Sequence, residues 1–157
     1  MDTKKVIKFL ENKCDYAEIL VEKSLGTVVE RINGEIRRLL TPQERGFGIR
    51  VLIDGKWGFA SSTDFSKMIE TAKLALKMAK VLTFHKVFQV EKPVLKKSFE
   101  NKVKVDPLDV SLEEKMELTK EAESFTKNYS KVKSRKIVYV DGTMHREYFD
   151  MLGSEIE

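Results

Sequence analysis

One cysteine, two histidines and three prolines are all that the 157 residues contain of those types, and each scarcity excludes something. A lone thiol, Cys14, cannot form an intramolecular disulfide. As a nucleophile it would need a histidine brought to it by the fold, so a structural thiol is the simpler reading. Zinc peptidases need two histidines one helical turn apart with a glutamate beside one of them, because the ligands must converge and a base must hold the water. His85 and His145 are far apart in the chain, and HREYFD offers only the pair His145-x-Glu147. His85 follows an expected helix, where the C-terminal dipole accounts for it. Nucleophile elbows, phosphate loops and dinucleotide fingerprints are absent. The sequence therefore supplies no catalytic residue, no metal site and no cofactor site of its own.

Charge of one sign is also lacking. With 29 basic against 25 acidic residues the net charge is +4, and the short basic groups read as solvated faces, so no nucleic-acid partner is expected. The opening MDTKKVIKFLENK breaks its short apolar run with lysines, which suits neither a signal peptide nor a membrane span. A cytoplasmic protein without a membrane partner is the expectation.

What is present is periodicity, in a 41% hydrophobic chain of one-domain size that can bury about 70% of its unfolded surface. Val6, Ile7 and Leu10 share a face of a first helix capped by Asp2 or Thr3. From Asp15 the period becomes two, with Ala17, Ile19 and Val21 on one side, and Ser24-Leu25-Gly26 reads as a turn. Asn33-Gly34 then joins two strands in a tight hairpin, setting Ile32 opposite Glu35 and Glu30 opposite Arg37. Asp54-Gly55 makes a second hairpin, with Ile53 opposite Lys56, Val51 opposite Gly58, Arg50 opposite Phe59 and Ile49 opposite Ala60. Gly58 and Ala60 thin the face carrying Phe47, Ile49, Val51 and Ile53, which leaves room for a helix to lie close. Gly46 and Gly48 suggest a bulge or bend.

That helix starts at Thr63 or Asp64 and carries Phe65, Met68, Ile69, Ala72, Ala75, Leu76 and Ala79. One strand is expected around 94–99. Ser111 and Glu114 form a capping box for a third helix with the stripe Leu118, Ala122, Phe125 and Tyr129. Asp141-Gly142 reads as a third hairpin turn, in whose register Lys136 lies opposite Glu147. The closing LGSEIE still alternates, so an unpaired last strand open to association is expected. Together these elements predict an α+β protein: a single domain over 1–157 with an antiparallel sheet built from hairpins and two to three helices on one face.

One feature suggests a contact surface. On the second face of the central hairpin Arg50 is flanked by Leu52, Trp57 and Phe59, where a guanidinium can stack on aromatic rings and apolar area can meet a partner or peptide. The alternative is a second packed layer within the domain.

The succession DYAEILVEKS, a hairpin, RGFGIRVLIDGKWGFASSTDFS and a long alanine-rich helix resembles the N-terminal domain of the TldD/PmbA family, from Asp15 to Ala79 and more loosely to the end. Members of that family are known as zinc metallopeptidases acting on peptides or small unfolded proteins, and as modulators of DNA gyrase. The resemblance implies that the zinc motif lies in a C-terminal metallopeptidase domain absent from this chain. It further implies that this part shapes the substrate channel or a dimer interface. The implied partners are the missing C-terminal domain, a second family subunit or a homodimer, and the peptide substrate. A non-enzymatic peptide- or protein-binding module is the alternative.

Overall fold

The computed structural model describes residues 3–81, 92–127 and 129–157, so the expectation for His85 lies outside the described residues. Strands β1 (Tyr16–Ile32), β2 (Glu35–Leu40), β3 (Gln43–Ile53), β4 (Lys56–Ser62), β5 (Lys96–Lys97), β6 (Lys136–Asp150) and β7 (Glu155–Ile156) accompany helices α1 (Thr3–Leu10), α2 (Met68–Val81) and α3 (Leu112–Ser124). Their hydrogen-bonded order is β4-β3-β1-β6-β7-β5, with β2 beside β1. Pairing is antiparallel for β1–β2, β3–β4 and β6–β7 and parallel for β5–β7, so the fold is α+β with a mostly antiparallel sheet. The chain forms two compact units, one from 1–23, 45–100 and 145–157, the other from 24–44 and 101–144.

In the first unit the β3–β4 register is the one that the Asp54-Gly55 turn dictates: Ile49 pairs with Ala60, Arg50 with Phe59 and Val51 with Gly58. Asp54 and Gly55 both take positive φ, as a two-residue hairpin loop of this kind requires. Phe47, Ile49 and Val51 are buried with Ala17, Ile19 and Val21 against α1 and α2. The helix lies close because Gly58 has no side chain: a Cβ there would stand 2.1 Å from the Ala75 carbonyl oxygen. Ala72, Ala75 and Ala79 complete the thin contact. Gly48 marks no bulge towards β4, since β3 and β4 pair regularly from Phe47 to Ile53; it is instead overlain by the Phe59 ring.

The second unit corrects several sequence expectations. Ser24-Leu25-Gly26 is no turn, because β1 runs unbroken to Ile32. Asp141-Gly142 is no hairpin either, because β6 runs unbroken from Lys136 to Asp150 and Gly142 lacks the positive φ of a tight turn. Both glycines answer a different need. A Cβ on Gly26 would lie 2.8 Å from the Asp141 carbonyl oxygen, and one on Gly142 would lie 2.7 Å from that of Leu25, so the two backbones approach where neither tolerates a side chain. Without that hairpin Lys136 does not face Glu147; its Nζ lies 2.6 Å from Glu30. At Asn33-Gly34 the tight turn is present, but a bulge between Glu30 and Arg31 moves the partner of Glu30 from Arg37 to Arg38.

Helix α3 begins with the full capping box of Ser111 and Glu114. Its expected stripe is inverted: Leu118, Phe125 and Tyr129 are exposed, while Lys115, Thr119 and Glu123 are buried. The polar residues win the inner face because β1 offers them partners there. Lys115 Nζ reaches Thr27 Oγ1 at 3.0 Å and Asp141 at 2.9 Å, and Arg31 Nε donates to Thr119 Oγ1 at 3.2 Å.

The end of the chain is paired as well. β7 sits between β6 and β5, the Glu157 amide donates to the Lys97 carbonyl, and the Phe99 amide donates to that of Glu157. The last strand therefore has no row of free donors, because the residues near Lys96 supply the second neighbour.

Candidate functional site

The site lies in the first unit, on the sheet face turned away from α1 and α2. Strand alternation puts Ala17, Ile19 and Val21 into the core, so Tyr16 and Glu18 point the other way, beside Arg50 and Leu52 of β3 and Tyr148 and Asp150 of β6. Leu52 pairs with Trp57 and Arg50 with Phe59, which brings all three expected contact residues to this face.

The structure joins Arg50 to Trp57 closely and Phe59 only loosely. The Arg50 guanidinium lies 4.4 Å from the Trp57 ring centre, and Trp57 meets Tyr16 edge to face at 5.9 Å. Arg50 also forms a 2.5 Å ion pair with Glu18. Leu52 is buried, whereas Phe59 remains 58% exposed over Gly48. This part of the face is thus half covered, between the two readings open from sequence.

Beyond these residues the structure shows a cluster that sequence reasoning missed. One Glu18 oxygen lies 2.9 Å from both tyrosine hydroxyls, which are 2.7 Å from each other. Each hydroxyl has one proton, so the three oxygens share two. Lys92 enters this group: its Nζ contacts both hydroxyls, lies 3.2 Å from Asp150 and 3.8 Å from Glu18, and stands 4.8 and 4.9 Å from the Tyr16 and Tyr148 ring centres. Asp150 is held in turn by the backbone amides of Leu152 and Ser154. The findable signal was a repeat, Tyr16-Ala-Glu18 and Tyr148-Phe-Asp150, which places a phenol and a carboxylate on one face of each of two strands.

The electrostatics follow from this geometry. Burial, then the Tyr148 hydroxyl and the Glu18 carboxylate, push the Tyr16 phenol well above its ordinary range. Burial likewise raises Tyr148, with Glu18 adding to it against the opposing effects of Lys92 and Tyr16. For Lys92 burial favours the neutral amine, but Tyr148 and Asp150 outweigh it and the ammonium is held above its usual value. For Asp150 burial again opposes charge, and the Ser154 amide and Lys92 outweigh it, leaving the carboxyl below its usual range. The cluster therefore holds neutral phenols around a fixed ammonium; it does not generate a phenolate nucleophile.

The remaining candidates stay apart. His145 Nε2 lies 3.3 Å from Glu147 and 3.7 Å from Glu157, half exposed. Among the described residues no group of three or more His, Cys, Asp or Glu side chains converges as a metal site would. The Cys14 thiol is part-buried on Leu10 and Met151, and burial raises its pKa, as suits a packed thiol and not a reactive one. No described helix is long and apolar enough to cross a membrane.

Comparison with known proteins finds relatives of this chain. Residues 17–79 match the family described as PmbA/TldA metallopeptidase domain 1. A metalloprotease of Methanocaldococcus jannaschii is 30% identical over 169 aligned positions that take in 100% of this chain and 36% of the relative, and one of Methanothermobacter thermautotrophicus is 28% identical over 97% of this chain and 33% of the relative. The fold is that of TldE from Thermococcus kodakarensis, at a TM-score of 0.78 and 22% identity over 98% of this chain and 35% of that one. It is also that of a candidate modulator of a DNA gyrase from Thermotoga maritima, at 0.76 and 18% over 98% and 35%. The chain spans about a third of the length of these relatives. With the hairpin, the thin alanine face and the paired strands all in place, residues 17–79 carry the first domain of the PmbA/TldD metallopeptidase family, and the chain has the fold of TldE.

Proposed function

We propose that this chain is the scaffold of a TldD/PmbA-like zinc metallopeptidase, shaping the channel along which peptides or small unfolded proteins reach a metal held in a C-terminal domain. The observation that carries this is the second face of the β3–β4 hairpin, where Arg50 and Trp57 are stacked and Phe59 stands exposed beside them, away from the helix-covered core. Such a face gives an extended peptide apolar area and a cation without chemistry of its own. On this reading the metal is held elsewhere, since no ligand set converges among the described residues. The neighbours of His145 are two carboxylates at a half-exposed position, and no third ligand type meets them. On this reading the chain alone is not catalytic, and its partners are a C-terminal domain or second family subunit, in a cytoplasmic homodimer.

The test is made in the protein that joins this chain to its peptidase region. Arg50→Ala and Phe59→Ala are expected to raise KM for an unstructured peptide several-fold while leaving kcat and zinc content unchanged; an unchanged KM in both removes the channel reading. The exposure of Phe59 also favours a second reading, a peptide-binding module acting without catalysis. A saturable shift of Trp57 fluorescence when unstructured peptide is added to this chain alone supports it, and no shift removes it.

A further inference from the structure

Lys92 is the one cluster member that does not lie on a strand. Tyr16 and Glu18 come from β1, Tyr148 and Asp150 from β6, and Arg50 from β3, whereas Lys92 reaches in from the irregular stretch ahead of β5. The strand residues hold one another without it. Glu18 bridges both phenols and Arg50, and Asp150 is fixed by two backbone amides. The recess is thus built by the sheet and then filled by a side chain from outside it.

Its chemistry is that of a receptor for a primary ammonium. Three N–H donors meet two phenol oxygens and the Asp150 carboxylate, Glu18 stands 3.8 Å away, and two aromatic faces flank the nitrogen at cation–π distance. Without Lys92 the two carboxylates and Arg50 leave the recess one negative charge in excess, and the Asp150 side chain is fully buried, so the empty recess calls for a cation. The Lys92 side chain is still 35% exposed, which leaves the recess open to solvent on the side by which it enters.

We propose that the Tyr16–Glu18–Tyr148–Asp150 recess is a binding site for the side-chain ammonium of a lysine in an extended peptide, and that Lys92 occupies it as an internal competitor. The occupant is a lysine side chain and not an α-amine because the structure seats the Nζ of a lysine there, on both hydroxyls and between two ring faces. A quaternary ammonium fits less well, since it would satisfy the rings but leave the phenol and carboxylate oxygens without donors. This site is read from the first unit alone and does not depend on the peptidase reading.

The test is binding and not hydrolysis, so its failure is separable from failure of the channel. Lys92→Ala, and Lys92→Met as a second variant that keeps the apolar stem, are titrated with Nα-acetyl-lysine N-methylamide, its ε-trimethyl form and glycine N-methylamide, following the tyrosine absorbance and ring NMR signals. Far-ultraviolet circular dichroism checks that each variant folds. The expected result is saturable binding of the lysine derivative by either folded variant. Binding should be at least tenfold weaker in the unaltered chain, tenfold weaker for the trimethyl form, and lost when Glu18→Gln is added. Absence of lysine binding in a folded variant, equal binding of the trimethyl form, or a preference for the α-amine would overturn the proposal. If neither variant folds, Lys92 is an obligatory structural lysine and the proposal is equally wrong.

Discussion

At the scale of single residues, glycine and the buried charges decide most. Gly58 and Gly46 share the β3–β4 hairpin region yet should respond oppositely to a methyl group. A Cβ on Gly58 would enter the α2 backbone at Ala75 and Ala79, whereas one on Gly46 would meet the Ser62 carbonyl at 3.4 Å and the Thr63 methyl at 3.8 Å, both ordinary contacts. Gly58→Ala is expected to cost about 3 kcal/mol or more through overpacking. Gly46→Ala should be neutral or stabilising by about 0.5 kcal/mol, because alanine loses less backbone entropy on folding. Urea midpoints of the two variants check this, and equal midpoints would mean that α2 does not lie on Gly58. The charged cluster gives a pH dependence of fixed sign. Asp150 has a lowered folded pKa, so its contribution is fully present above its unfolded value of about 4 and is lost as pH falls through the folded value. Lys92 has a raised one, so its contribution is present below about 10.4 and is lost as pH rises past it. Stability measured across pH should therefore show an acid limb that Asp150→Asn flattens and an alkaline limb that Lys92→Met flattens. An acid limb unchanged in Asp150→Asn would mean that other carboxylates carry it.

At the scale of elements, α3 is the informative case. Lys115 is buried and lies 2.9 Å from the largely covered Asp141, and the Lys115 ammonium also donates to Thr27 and to the Pro107 carbonyl. Lys115→Ala removes the counter-charge and leaves the Asp141 carboxylate with the Tyr139 hydroxyl as a donor, which is expected to cost about 3 kcal/mol. Phe125→Ser on the outer stripe should change stability by less than about 0.5 kcal/mol. If the outer stripe were instead the buried one, these costs would exchange places, and denaturant unfolding of the two variants tells them apart. Here too the sequence shows its reach. The hairpin at Asp54-Gly55 and the α2 face were legible because the turn residues and the Gly-Ala thinning speak locally. The α3 face was not, because helical spacing alone assigns the apolar stripe inward, while the real decision rests on the buried polar partners Thr27 and Asp141, distant in sequence. The same dipeptide, Asp-Gly, is a turn at 54–55 and mid-strand at 141–142, since Gly26 demands a bare backbone opposite Gly142. Within the site, Arg50, Trp57 and Phe59 could be placed from the hairpin register alone. Tyr16, Glu18, Tyr148 and Asp150 required knowing that β1 and β6 meet.

At the scale of the whole molecule, the same family that names a metallopeptidase supplies here a part without convergent metal ligands among its described residues. Both carboxylates near His145, Glu147 and Glu157, approach the same ring nitrogen, Nε2, and half of the side chain faces water. Two carboxylates and one imidazole at a surface bind zinc weakly, because solvent competes for each position and no neighbouring group fixes the geometry. The chain by itself is therefore expected to retain far less than one zinc after dialysis and to leave unstructured peptide uncut over hours with zinc restored. Metal analysis and a fluorogenic peptide assay measure both. The peptide could still be held, since the Arg50, Trp57 and Phe59 face needs no metal, and binding without cleavage is the combination that a scaffold reading requires. One tightly retained zinc per chain, abolished by His145→Ala and accompanied by peptide cleavage, would relocate the chemistry to the β6–β7 end and remove the scaffold reading altogether.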